Sequence, residues 1–77
     1  MMIWKGEEIR THGNMMSALL KLDNKLEAQE FMIRYRAVNP SADQNVGYAI
    51  GYFSPEDRER LFGILDGVVH PIFGRNF

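Results

Sequence analysis

Residues Asn45–Phe53 read NVGYAIGYF, and the period of this stretch decides the fold class. Val46, Ala49, Ile50 and Phe53 recur at i, i+3, i+4 and i+7, one face of an α-helix rather than the alternation of a strand. Beside that face Gly47 and Gly51 stand one turn apart, as do Tyr48 and Tyr52. Glycine inside a helix costs roughly 1 kcal/mol relative to alanine, so two of them need a compensating contact. Close approach of another helix is the simplest one, and Gly47 and Gly51 are assigned to it. A phosphate loop is not expected, because no Lys-Ser/Thr follows and the glycines do not sit at a strand-to-helix turn.

Working outward from this third helix, Ser41-Ala42-Asp43-Gln44 has the spacing of a capping box at its start. Asn39-Pro40 ends the segment before it, since the residue preceding proline is pushed out of helical angles. That segment opens at Asn24-Lys25-Leu26-Glu27, an N-cap with glutamate three residues on. It carries Ala28, Phe31, Met32, Tyr35 and Val38 as its apolar stripe. Glu30 and Arg34 lie one turn apart on its opposite, solvated side, in the order that favours an ion pair. Earlier still, Asn14 is expected to cap a first helix with Met15, Ala18, Leu19 and Leu22 inward, and His12 falls in the loop before it. On the other side, Ser54-Pro55-Glu56-Asp57 supplies a cap, a proline at the first helical position and two acids in the first turn. Leu61, Phe62 and Leu65 give this fourth helix its apolar side, and Gly67 is a natural stop.

The ends of the chain read differently. Met1–Arg10 alternates around Gly6, which suggests a short hairpin or an extended arm with Trp4 as its core anchor. The tail VVHPIFGRNF is apolar, aromatic and broken by proline, and is expected to be extended. The fold expected is therefore all-α. It is a single domain over residues 1–77, a small bundle of about four short helices with an N-terminal arm and a C-terminal tail.

Seventy-seven residues bury only about 60% of the surface that the unfolded chain exposes, so helix packing or self-association has to supply stability. With no cysteine, disulfides and thiolate metal sites are excluded. His12 and His70 lack ligand spacing, and neither a metal nor a cofactor is expected. Nine Lys/Arg against ten Asp/Glu, well mixed, give no general grip on nucleic acid. The opening MMIWKGEEIR turns charged too early for a signal peptide, and no apolar run approaches the roughly 20 residues of a membrane span. A soluble cytoplasmic protein is expected.

Tyr48 and Tyr52 are the first candidate binding residues. They could rest at the domain edge with hydroxyls in water, anchor a protein interface, or stack on a base. His70-Pro71-Ile72-Phe73-Gly74 is the second patch. His70 before proline is extended there, with a structural role favoured over that of a general base, since no nucleophile motif accompanies it. Arg75 or Arg36 would hold a phosphate if the ligand were a nucleotide. Glu56, Asp57 and Glu59, interleaved with Arg58 and Arg60, are explained by a capped helix start rather than by hydrolytic chemistry.

The pattern N-x-G-Y-x-x-G-Y-F over Asn45–Phe53, followed by H-P-I-F-G over His70–Gly74, resembles small uncharacterised accessory proteins of actinobacterial bacteriophages and prophages. The likeness spans the C-terminal half and brings no catalytic residue with it. It implies a phage-encoded protein made in the host cytoplasm. The leading expectation is a non-enzymatic module that binds a host or phage protein through Tyr48, Tyr52, His70, Phe73 and Arg75, as an inhibitor of host machinery or defence. The alternatives are a small-ligand or nucleotide binder and a self-assembling virion component. A homodimer covering the Tyr48/Tyr52 ridge, with Phe73 and Phe77, is expected on grounds of apolar area.

Overall fold

The apolar periods build four helices, α1 (His12–Leu20), α2 (Lys25–Val38), α3 (Ala42–Ile50) and α4 (Pro55–Leu65). They are preceded by a two-stranded antiparallel hairpin, β1 (Met2–Trp4) and β2 (Glu7–Ile9). The computed structural model describes residues 2–69, so His70, Phe73, Arg75 and Phe77 lie outside the described residues. Helix α2 is the centre of the arrangement and packs on α3, α4 and β1, while α1 packs on α3, α4 and β2. Ala28, Phe31, Met32 and Tyr35 of α2 meet Met15, Ala18 and Leu19 of α1, Val46, Ala49 and Ile50 of α3, and Leu61 and Leu65 of α4 in one core. Among the described residues no charged, carboxamide or aliphatic hydroxyl side chain is buried.

The hairpin register pairs Met2 with Ile9, Ile3 with Glu8 and Trp4 with Glu7. Directly opposed residues share a face, so Met2, Trp4 and Ile9 turn inward while Ile3 and Glu8 face water. Lys5 and Gly6 make the turn with φ of 49° and 82°. Positive φ at both central residues is the geometry that matches the right-handed twist of the strands, and Gly6 adopts it without steric cost. A lone hairpin is marginal in water, and this one is held by its tryptophan. Trp4 is 6% exposed and stands edge-on to Phe31, with ring centroids 5.4 Å apart and planes at 89°. The Arg34 guanidinium and the Lys5 ammonium lie 5.4 and 5.8 Å from the Trp4 ring centre. Arg34 also donates to the Ile3 carbonyl. Glu30 and Arg34 both lie on the exposed side as expected, and Arg34 adds a contact across elements.

Several local expectations are corrected. Thr11, not Asn14, is the N-cap of α1, and His12 is its first residue rather than a loop residue. The Thr11 hydroxyl accepts from the Asn14 N–H, and the Asn14 side chain accepts in return from the Thr11 N–H. Asn14 is therefore the third helical residue of a reciprocal box. Asn24 caps α2 as expected, but Glu27 accepts from the Asp23 N–H. Ser41 starts α3 without a side-chain cap; its backbone, at φ −104° and ψ 24°, is not in the extended region from which a cap hydroxyl reaches the first turn, and its N–H is held by the Asn39 carboxamide oxygen. Val38 is 46% exposed, since α2 outruns the core by its last turn. Helix α3 ends at Ile50, so Gly51 is its C-cap and Phe53 is only half-buried. Val68 and Val69 are in turn and bend rather than extended; Gly67, at φ 77°, reverses the chain and returns both to the core.

Short helices leave their last carbonyls without partners, and cations from distant elements meet them here. Arg60 of α4 donates to the Leu22 and Leu20 carbonyls at the end of α1, at 2.7 and 2.8 Å. Lys25, at the start of α2, donates to the Asp66 carbonyl at the end of α4, at 2.7 Å. Arg36 grips Asp43 of α3 with two bonds of 2.7 and 3.0 Å and also donates to the Val68 carbonyl. Two exposed ion pairs, Lys5–Glu27 and Lys21–Glu7, tie the hairpin to α2 and to the end of α1.

Two outcomes follow. Arg60→Met should lower unfolding free energy in urea by about 1.5 kcal/mol, the low end for charge-assisted hydrogen bonds, and Arg60→Lys should recover part of it. The second concerns pH. Hydrogen bonds from Lys5 and then from the Asp23 N–H hold the Glu27 carboxyl below its ordinary value of 4.5, and the bond to Glu27 raises Lys5 above 10.5. The stability Glu27 contributes is present above 4.5 and is lost as pH falls below it through the folded value; that of Lys5 is present below 10.5 and lost as pH rises. Glu27→Gln should flatten the acid limb of stability measured by urea unfolding, and an unchanged limb would mean the pair is not made.

Candidate functional site

Two features stand out on the surface, an exposed tyrosine edge and a polar cleft. Tyr48 lies on α3 and is 58% exposed; Tyr52 lies in the turn beyond it and is 78% exposed. The turn is tightened by bonds from the N–H groups of Gly51, Tyr52 and Phe53 to the carbonyls of Tyr48, Ala49 and Ile50. These i to i−3 bonds fix the backbone under Tyr52, but they take it off the regular helix. The expected ridge is thus one helical and one turn tyrosine. Gly47 is buried within α3, whereas Gly51 is half-buried at the helix end. Arg36 is engaged by Asp43 and Val68, which raises its pKa above the usual arginine range, chiefly through the Asp43 hydrogen bonds. Its Nε and Nη2 groups are committed to these partners.

The cleft was not legible beforehand. It has a volume of about 350 Å³ and lies between the start of α1 and the corner where α2 gives way to α3. Ile9 and Val38 supply apolar wall; Arg10, Thr11, His12, Tyr35, Asn39 and Asn45 supply the rest. Tyr35, 6% exposed, is the most buried residue in it that carries a polar side chain. Its ring is held 5.6 Å from that of Phe31, and its phenol oxygen accepts from the carboxamide nitrogens of Asn39 at 3.3 Å and Asn45 at 3.5 Å. A phenol that accepts twice keeps its own O–H as a donor. Among the described residues no carboxylate lines the cleft, and Glu8 meets Arg10 only at 3.9 Å. The signal that could have pointed here is Arg10-Thr11-His12, a cation, a cap and an imidazole in a row at a helix start.

Among the described residues no group of three His, Asp or Glu side chains is placed to hold a metal ion, and no helix is long and apolar enough to cross a membrane. Comparison of the chain with protein-family models, curated proteins and solved structures finds no match.

The two carboxamides depend on the phenol. Tyr35→Phe leaves both donors to find water at the cleft and should cost about 1 kcal/mol in thermal or chemical unfolding. An unchanged midpoint would mean that the Asn39 and Asn45 bonds are not formed.

Proposed function

We propose that this protein is a non-enzymatic interaction module that docks on a protein partner through the Tyr48–Tyr52 edge. The observation that carries the reading is the contrast among its aromatic residues. Trp4, Phe31 and Tyr35 are buried in the core, yet Tyr48 and Tyr52 stay more than half exposed on an ordered helix end. Tyrosine gives large, stiff contact area for little conformational entropy, and is enriched among residues that dominate binding energy. In the setting that the sequence resemblance implies, the partner is a host or phage protein in the host cytoplasm, whose action the module blocks or redirects. A second copy of the chain is the first partner to test, because a twofold contact is the commonest way to cover such an edge. In the nucleotide reading Arg36 would hold phosphate while keeping its bonds to Asp43 and to the Val68 carbonyl.

The test compares the wild type with a Tyr48→Ser, Tyr52→Ser double variant that melts at the same temperature. Sedimentation at micromolar concentration should give the wild type a mass above the 8.9 kDa of one chain, and the variant 8.9 kDa. If the wild type is monomeric, affinity capture from host lysate should recover a partner that the variant loses. Identical masses together with identical captured proteins would sink the proposal.

A further inference from the structure

The cleft beside α1 suggests a role separate from the tyrosine edge. We infer that it is a binding site for a compact oxyanion, a carboxylate or phosphate group on a small molecule, held by Arg10, Thr11, His12 and the Tyr35 hydroxyl. The polar groups of the cleft are out of balance. Arg10 brings only N–H donors, and the hydroxyls of Thr11 and Tyr35 keep their protons, because both oxygens are already accepting. The Asn39 carboxamide oxygen is taken by the Ser41 N–H. Donors therefore outnumber acceptors, and a ligand rich in lone pairs is the complement.

The second strand of the argument is burial. Tyr35 is nine-tenths buried and is positioned by two carboxamides from separate elements, so its hydroxyl is fixed before any ligand arrives. Prepositioned donors in a partly desolvated wall bind an anion more strongly than mobile ones in water. The first turn of α1 adds to this. Of its unpaired donors, those of Thr11 and Asn14 are closed by their reciprocal box, which leaves the N–H groups of His12 and Gly13 at the end that borders the cleft. Size sets the ligand class. About 350 Å³ is at the small end of ligand pockets, which run from roughly 300 to 1,000 Å³. One acidic head with a short apolar portion against Ile9 and Val38 fits; a dinucleotide does not.

The experiment titrates the labelled protein with sodium phosphate, sodium acetate and, as a neutral analogue, acetamide, with sodium chloride holding ionic strength constant. Amide resonances of Thr11, His12, Gly13 and Asn45 should move and saturate with at least one of the two anions, and the tighter one identifies the head group. Acetamide should leave them in place. Arg10→Gln, an exposed change that leaves the core intact, should weaken binding about tenfold, while Glu8→Gln should strengthen it by removing the competing carboxylate. Shifts that never saturate, that acetamide reproduces, or that Arg10→Gln leaves unaltered would overturn the inference. None of these readouts depends on Tyr48 or Tyr52, so the oxyanion site and the docking edge succeed or fail separately.

Discussion

A helix of nine residues has almost half of its carbonyls in its last turn, beyond the reach of intrahelical donors. This constraint governs the molecule, because all four helices are short. Local capping closes the beginnings, through Thr11, Asn24 and Ser54. It does less for the ends, where neither α1, α3 nor α4 has a basic residue in its last turn. The solution at α1 and α4 is a loan between elements, with Arg60 closing α1 and Lys25 closing the end of α4. Packing and backbone satisfaction are therefore the same event. The apolar face of α4 cannot settle on α2 without bringing Arg60 to the carbonyls of Leu20 and Leu22.

What the sequence made legible were features set by short-range period. The stripes Met15-Ala18-Leu19-Leu22 and Ala28-Phe31-Met32-Tyr35-Val38 needed only helical spacing, and all but Val38 are buried as read. Caps were less secure, because Thr11 and Asn14 are both good capping residues three apart. Only the reciprocal bond decides which begins the helix. Ser41 shows the opposite failure, a capping spacing at a residue whose backbone is not extended, so its hydroxyl caps nothing. Arg34 reads only as part of a solvated face beside Glu30, because a helical neighbour is visible in sequence whereas the Trp4 ring on a different element is not.

The candidate surfaces divide along the same line. Tyr48 and Tyr52 could be nominated from spacing, since a polar aromatic beside an apolar stripe tends to fall at its margin. The cleft could not, since its walls come from residues 9–12, 35–39 and 45 and its chemistry arises only where the hairpin exit meets the α2–α3 corner. Neither residue type nor interval marks Tyr35 as anything but core. It is both: its ring belongs to the core and its oxygen to the surface.

The borrowed caps also bear on how the chain opens. In a protein whose helices close their own ends, one helix can fray or detach while the others keep their hydrogen bonds. Here, release of α4 withdraws Arg60 from α1 and at the same time frees the Asp66 carbonyl held by Lys25 of α2. Partial opening thus exposes polar groups in elements that have not themselves moved, and such intermediates are raised in free energy relative to both the closed and the fully unfolded chain. Amide protons of α1, α2 and α4 should accordingly exchange with solvent through one shared event. A domain this small would then behave as a single foldon.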